Sequence, residues 1–174
     1  MKGNLGLWQL AGLTFTAVLG TLLHFLYGWT GDNKLVGAVS AVNESTWEHM
    51  KLFFAPSLAF ALLQSLYFRD EYANFWCVKG VGIVVGVLSI PTLFYTLNGV
   101  FGETPDWVNV AIFFVCAGGV YWLEWYIFRG EMLGGKCLWA LILLCVVGVL
   151  FVIFTYYPPH IPLFQDPITG RFGG

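Results

Sequence analysis

The sequence predicts an all-α membrane protein, a compact bundle of five transmembrane helices, and three observations support this fold class. Of the 174 residues, 58% are hydrophobic and only 10% are charged, whereas a soluble domain carries about 25% charged residues. Five stretches approach or exceed the roughly 20 apolar residues that a helix needs to cross a bilayer. Sixteen Phe, eight Trp and eight Tyr are typical of a chain whose aromatic side chains gather at membrane interfaces.

Short connections join the predicted spans, so consecutive helices should be antiparallel neighbours. The first apolar stretch is longer than the roughly 7–15 residues of a cleaved signal sequence, and we expect it to be retained as a span. The five predicted spans are Leu5–Trp29, Thr46–Phe68, 74–99, 106–128 and 135–157. Residues 1–157 thus form the predicted bundle, and residues 158–174 form a Pro/Gly-rich tail that either covers the outer face as a lid or frays.

Each later span carries a local signal. The second begins at Ser45-Thr46-Trp47-Glu48, which has the S-x-x-E form of a helix-opening capping box. Small residues in the third span (Gly82 and Gly86) and in the fourth (Gly118-Gly119) predict close helix approach, because lipid supplies little hydrophobic drive for association. The fifth span ends where Pro158-Pro159 follows it.

The charges in the short loops predict the orientation. An odd number of spans places the termini on opposite sides, and five basic residues lie on the amino-terminal side against three on the other. Because an excess of Lys and Arg marks the cytoplasmic side, we expect a cytoplasmic N-terminus and an extracytoplasmic C-terminus in a bacterial cell membrane. The two sets are Lys2, Arg69, Lys79, Arg129 and Lys136 against Lys34, Lys51 and Arg171.

Other features exclude several functions. The net charge is −2 and the chain has no basic run, so nucleic acid is not an expected partner. The cysteines stand singly with no C-x-x-C pair, which argues against a redox dithiol or a thiolate zinc site. We expect all four to be small apolar side chains within the spans; they are Cys77, Cys116, Cys137 and Cys145.

The main functional signal is a polar segment at the outer mouth of the second span. The three histidines of the chain, His24, His49 and His160, all fall in the predicted outer layer. With Asp166 or Glu44 as a further ligand, they form a sufficient donor set for a divalent metal, of which zinc is the expected one.

The residues beside those ligands have two interpretations, one catalytic and one as a helix cap. Ser45, Glu48 and His49 share one helical face because they stand at i, i+3 and i+4. In a metal enzyme, Glu48 would be the general base on metal-bound water and Ser45 would orient that water or the substrate. In the alternative interpretation, Ser45 and Glu48 only cap the second span.

Glu124, near the cytoplasmic end of the fourth span, also has two interpretations. It either relays a proton or cation, or it forms an ion pair with Lys79 or Lys136. An ion pair is the simpler interpretation, because an unpaired charge within a membrane is costly.

The string Asn43-Glu44-Ser45-Thr46-Trp47-Glu48-His49, with His24 upstream and Pro158–Pro167 near the end, resembles a family of short bacterial membrane proteins without assigned function. A local similarity links Ser45 and His49, one turn apart on an early span, to the superfamily that unites alkaline ceramidases with the progestin and adipoQ receptors. That resemblance implies intramembrane zinc, whereas the seven spans, third-span Asp and paired late histidines of that superfamily have no counterpart here.

Three functions remain open at the level of sequence. The first is a metal-dependent hydrolase acting on a lipid-like substrate of the surrounding bilayer. The second is a protein that binds or transports a small solute or ion, and the third is a non-catalytic subunit of an oligomer or larger membrane complex. A transport path would be lined by Thr14, Thr21, Ser89, Thr92 and Thr96.

Overall fold

The computed structural model describes residues 4–130, 132–133 and 137–174, and within them the chain is a bundle of α-helices. Five of these helices are long and apolar enough to cross a membrane, which confirms the predicted fold class and fits an integral membrane protein. The helices are α1 (Leu5–Trp29), α2 (Lys34–Gly37), α3 (Thr46–Phe68), α4 (Phe75–Phe101), α5 (Asp106–Arg129) and α6 (Leu138–Tyr156), followed by a 3-10 turn at Pro162–Phe164.

The long helices alternate in direction, so each end of the bundle collects particular loops. We call the end where α1 finishes and α3 begins the histidine end, and the opposite end, where α3 and α5 finish, the arginine end. Side-chain caps fix the starts of two of the long helices. Asn4 Oδ1 accepts a hydrogen bond from the Leu7 amide, and Ser45 Oγ accepts one from the Glu48 amide, which satisfies amide groups that a helix start leaves free.

The helices are arranged around α3 and α4. α4 packs against α3, α5 and α6, and α1 packs against α3 and α5. α3 is the most buried span, whereas α1 and α6 expose most of their apolar surface. This exposed surface suits acyl chains, because in a bilayer an outward-facing apolar side chain is already in its preferred solvent.

Glycines set the closest helix contacts. A Cβ at Gly86 would collide with the ring of Phe53 on α3, and one at Gly82 with the carboxylate of Glu124 on α5. The predicted close approach of α4 is therefore confirmed. For Gly118 and Gly119 the prediction was wrong, because a Cβ at either position would meet open space.

The tail packs on the histidine end. Its Phe164 is buried and lies 4.8 Å from Trp47 and 5.4 Å from Phe154, between ring centroids. An isolated bridge joins Gln165 to Phe172, and the Gly174 amide donates to the carbonyl of Thr155. These contacts hold the tail against the start of α3 and the end of α6.

The cysteines depart from the sequence-based expectation. Cys77 and Cys137 are joined in a disulfide, with Cα atoms 5.1 Å apart, so they link the start of α4 to the start of α6 at the arginine end. Single cysteines 60 positions apart carry no local signal of pairing, which only the packing of α6 on α4 provides. Cys116 and Cys145 are free, as expected.

Candidate metal centre

Three of the predicted ligands converge at the histidine end. His24 lies near the end of α1, Glu44 lies in the loop before α3, and His49 lies in the first turn of α3. Glu44 Oε2 is 3.8 Å from Nε2 of His24 and 3.6 Å from Nε2 of His49. One donor atom of each residue lies within 4.8 Å of the other two.

The backbone of α3 orients His49. Its Nδ1 lies 2.9 Å from the carbonyl oxygen of Ser45, and because a carbonyl only accepts hydrogen bonds, Nδ1 carries a proton. In the neutral ring this leaves the lone pair on Nε2, which faces Glu44. A ring nitrogen held in this way is the usual support of a metal-binding histidine.

His24 is held by packing. Its ring stacks on Phe25 at 4.9 Å and meets the His49 ring edge-on at 5.4 Å, between centroids. Its Nδ1 is buried without a hydrogen-bond partner among the described residues. His24 therefore lacks the second support that His49 has, although its Nε2 points to the same carboxylate.

The spacing and exposure of the cluster suit a metal. Ligands on a tetrahedral zinc ion with bonds of about 2.0 Å stand about 3.3 Å apart, so distances of 3.6 and 3.8 Å need only small side-chain shifts. The side chains of His24, His49 and Glu44 are 30%, 31% and 41% exposed. A fourth position on a metal would thus be open to water or substrate.

Ser45 and Glu48, the two predicted catalytic residues, make structural contacts. Ser45 caps α3 through its hydroxyl, as the capping interpretation predicts. Glu48 does not complete the capping box at the Ser45 amide, which donates instead to Asn43 Oδ1. Its carboxylate accepts hydrogen bonds from the Val42 amide and from the Thr155 hydroxyl, and the catalytic roles of both residues stay predictions.

Glu48 also belongs to a buried ion pair that the sequence did not reveal. Its Oε2 lies 2.6 Å from Nζ of Lys51, and this ammonium donates to the Gly37 carbonyl at 2.7 Å and to the Thr155 hydroxyl at 2.8 Å. Lys51 was counted among the loop charges, yet only 1% of its side chain is exposed. The network joins α2, α3 and α6 directly behind the metal centre.

The other two predicted ligands lie in the tail, apart from the cluster. The ring of His160 packs on Phe172 at 4.7 Å, and this histidine is exposed. Asp166 is buried, and its carboxylate accepts hydrogen bonds from the Ile168 amide and the Thr169 hydroxyl. The group of potential ligands found in the described part of the chain is His24, Glu44 and His49.

The conspicuous motif before α3 therefore divides its residues among three tasks. Glu44 and His49 belong to the group that could hold a metal ion, and Glu48 forms the buried ion pair. Asn43 donates to the carbonyl of Gly173, while Trp47 packs on Phe164. Two of these residues consequently tie the tail to the loop that carries Glu44.

At the arginine end, Glu124 forms the predicted ion pair with Lys79. Its Oε2 lies 2.6 Å from Lys79 Nζ, and both side chains are almost wholly buried. Gln9 of α1 adds a hydrogen bond from its Nε2 to the same oxygen at 3.2 Å, a contact that sequence reasoning missed. The other proposed partner, Lys136, lies outside the described residues.

Four of the five side chains proposed to line a transport path are exposed on the outside of the bundle, and the fifth, Ser89, is half-buried. Thr14, Thr21 and Thr92 are exposed, and each hydroxyl donates to the carbonyl four residues earlier, as does that of Ser89. Thr96 is exposed too. Such internal bonds let a hydroxyl face lipid, so this part of the transport hypothesis was wrong.

Comparison with known proteins gives a class without an activity. A family model described as Family of unknown function (DUF6512) matches residues 2–174. No curated protein and no solved structure matches the chain. The similarity of Ser45 and His49 to the alkaline ceramidase superfamily therefore stays a prediction.

Proposed function

The chain belongs to this family of unknown function, and we propose its function from the geometry of the metal centre alone. It is a membrane protein that binds a divalent metal, zinc in the first place, through His24, Glu44 and His49 at the histidine end. The observation that carries this proposal is that donor atoms from three separate chain positions lie within 4.8 Å of one another.

The donor set favours zinc over magnesium or calcium. Two imidazole nitrogens and one carboxylate oxygen suit zinc, whereas the harder cations prefer ligand sets made of oxygen alone. A structural zinc site is closed by four protein ligands, but a catalytic one has three and leaves one position for water. His24, Glu44 and His49 match the second type.

The third histidine gives a matched control for a binding experiment. We expect the purified protein to bind about one equivalent of zinc, as expected of a three-ligand site, and His24→Ala and His49→Ala to lose it. His160→Ala should keep the metal, because His160 packs on Phe172 away from the cluster. Equal loss in all three variants, or no binding by the wild type, would refute the proposal.

The finer proposal is that the bound metal serves hydrolysis of a lipid-like substrate. A zinc ion lowers the pKa of its bound water towards neutrality and so supplies a nucleophile. The cluster is partly exposed and lies at the end of the spans, at the depth of the carbonyl and phosphate groups of a bilayer, which supports a lipid-like substrate. Within the cluster, Glu44 is the carboxylate positioned to bind the metal and to accept a proton from its water.

The test of hydrolysis uses zinc-loaded protein in vesicles that contain an ester, an amide or a phosphodiester lipid. We expect one class to release product in the wild type and in His160→Ala, and not in His49→Ala. Zinc binding without turnover of any class would leave the metal site standing and overturn the hydrolase. In that event the protein either binds or transports the cation, or it is a non-catalytic subunit of a larger membrane complex, as the two alternative hypotheses predict.

A further inference from the structure

A second polar layer crosses the bundle near the arginine end. Gln9, Gln64 and Lys79 each lie four residues from the end of their helix at this face, and Glu124 lies five residues from the end of α5. At a rise of 1.5 Å per residue, all four lie about 6–8 Å inside the helix ends. Four helices thus place one polar side chain each at the same depth.

Some polar atoms of this layer have no hydrogen-bond partner in the described part of the chain. Both amide atoms of Gln64 and the Oε1 atom of Gln9 are buried without a hydrogen bond among the described residues. Gln64 is completely buried and Gln9 is 4% exposed. A buried amide without hydrogen-bond partners destabilises the folded protein, so these atoms point to a bound polar molecule.

The helical register places Gln64 on the face of α3 that meets α1 and α4. Phe60 and Phe68 stand one turn on either side of Gln64 on the same face of α3. Trp8, the neighbour of Gln9, contacts both of these rings, at 6.1 and 5.4 Å between centroids. Lys79 Nζ lies 6.0 Å from the centre of the Phe60 ring, so Gln64 faces α1 and α4 together.

Hydroxyl groups continue the layer towards the middle of the bundle. Lys79 Nζ lies 5.3 Å from the centre of the Tyr121 ring. The Tyr121 hydroxyl is hydrogen-bonded to Thr16 at 2.8 Å, and Thr16 lies 3.5 Å from the Ser57 hydroxyl. Because a hydroxyl both donates and accepts, this row of hydroxyl groups continues from Tyr121, whose ring Lys79 faces, to the centre of α3.

We propose that Gln9, Gln64, Lys79 and Glu124 form a second site, which takes up water from the arginine end and holds an exchangeable proton on the Lys79–Glu124 pair. Water is the ligand that fits, because it can donate to Gln9 and Gln64 Oε1 and accept from Gln64 Nε2. Buried waters typically make about three such bonds. The site is independent of the metal centre, which lies at the opposite end.

The proton exchange needs only a proton from bulk water. The proton on Lys79 Nζ moves to Glu124 Oε2 along the existing 2.6 Å hydrogen bond, which converts the two charged groups into a neutral amine and a neutral acid. A hydronium ion then gives its proton to the amine and becomes water, so the pair holds one extra proton as an ammonium and a carboxylic acid, and the reverse steps release it. Among the described residues, the groups in contact with the pair are Gln9 of α1, Phe60 of α3 and Tyr121 of α5.

The first experiment tests water access by thiol labelling of the full chain in proteoliposomes. Cys116→Ala and Cys145→Ala remove the free thiols, and Gln64→Cys is compared with its lipid-facing neighbour Leu63→Cys. A hydrophilic methanethiosulfonate should label position 64 at least about ten-fold faster, because the reactive thiolate forms only where water reaches. Equal rates at the two positions would overturn the proposal.

A near-isosteric probe covers the case in which Gln64→Cys fails to fold. Ser57→Cys changes one atom at the inner end of the row, and Ala59→Cys is its exposed control at a similar depth. Labelling of position 57 faster than of position 59 supports a hydrated row. Equal labelling in a folded Ser57→Cys protein contradicts it.

The second experiment follows the proton itself by infrared difference spectroscopy during acidification. We expect a protonated-carboxyl band that shifts in D2O and is absent from Glu124→Gln. Glu103→Gln, at an exposed position of the opposite end, should keep it. If the band assigned by Glu124→Gln does not appear, or does not shift in D2O, bulk protons do not reach the pair and the proposal fails.

Discussion

Glu48 and Lys51 form an ion pair of 2.6 Å that is buried inside the bundle, in the same helical turn as the partly exposed His49. The ion pair and the metal centre thus arise from the same first turns of α3 but face different neighbours. His49 and Glu44 meet α1, whereas Glu48 and Lys51 meet Thr155 of α6 and the carbonyl of Gly37. Rigid packing behind α3 consequently supports the open cluster in front of it.

Removing Lys51 should destabilise the protein strongly. In Lys51→Met the carboxylate of Glu48 stays buried without its cation, and breaking a buried pair in this way costs about 3–5 kcal/mol. The midpoint of unfolding in a denaturing-detergent titration measures the loss. Lys34→Met, an exposed lysine of the same end, should change the midpoint little.

The double variant separates charge from packing. Glu48→Gln keeps a side chain that can bond to Val42 and Thr155 but carries no charge, so Lys51→Met with Glu48→Gln should recover most of the lost stability. Equal instability of the single and the double variant would show that the space filled by Lys51 matters more than its charge.

Metal binding should weaken as the pH falls. Protonation of the imidazoles competes with a metal for the same nitrogen atoms, and histidines change charge between about pH 8 and pH 5. Zinc occupancy of the purified protein, measured across this range, should fall with acidification and return on neutralisation. Occupancy that stays constant down to the acid end would mean that the histidines do not hold the ion.

The fold could be predicted from composition and span length, because a bilayer demands a long apolar helix wherever the chain crosses it. The predicted bounds of α1 and α3 agree with the structure, while those of the remaining spans differ by a few residues. Close approach at Gly86 was also predictable from its spacing to Gly82. From the sequence, Gly118-Gly119 could not be distinguished from glycines at a helix contact such as Gly82 and Gly86, because the sequence does not show which side of a helix meets a neighbour.

The site was predictable only where its residues are close in sequence or share a loop layer. Glu44 and His49 stand five positions apart, and His24 lies near the end of the preceding span. All three therefore fall at the same end of the bundle. His160 falls in that layer too, yet tail packing turns it onto Phe172. The position of Lys51 in the sequence suggested a loop charge, but its side chain is buried against Glu48. This pairing could not be predicted because Thr155 of α6 bonds to both side chains.

Filling the closest helix contact should destabilise the bundle. Gly86→Ala places a Cβ against the ring of Phe53, and overpacking of this kind typically costs about 1–3 kcal/mol. Gly118→Ala is the matched control, since it meets open space and alanine favours a helix over glycine by up to about 1 kcal/mol. Unfolding midpoints that rank Gly86→Ala at or above the wild type would contradict the predicted clash.

The disulfide makes a prediction about thiols. Thiol titration of the denatured protein should find two reactive groups, Cys116 and Cys145, before reduction and four afterwards. Cys77→Ser should leave three before reduction. It should also loosen α6, which packs mainly on α4 and α3 within the described residues, and loss of a disulfide typically costs about 2–4 kcal/mol. Four reactive thiols without reduction would show that the bond does not form.

The same bond bears on which way the protein faces. Disulfides persist on the oxidising side of a membrane, and Cys77–Cys137 lies at the arginine end, whereas the excess of basic residues predicts that this end is cytoplasmic. Arg69→Cys, exposed in the turn after α3, distinguishes the two. If the arginine end faces the oxidising side, as the disulfide predicts, a membrane-impermeant thiol reagent labels Arg69→Cys in intact cells. The metal centre then faces the cytoplasm. If the arginine end is cytoplasmic, as the basic residues predict, the reagent labels Arg69→Cys only in broken cells. Cys77 and Cys137 should then be found as reduced thiols in freshly prepared membranes.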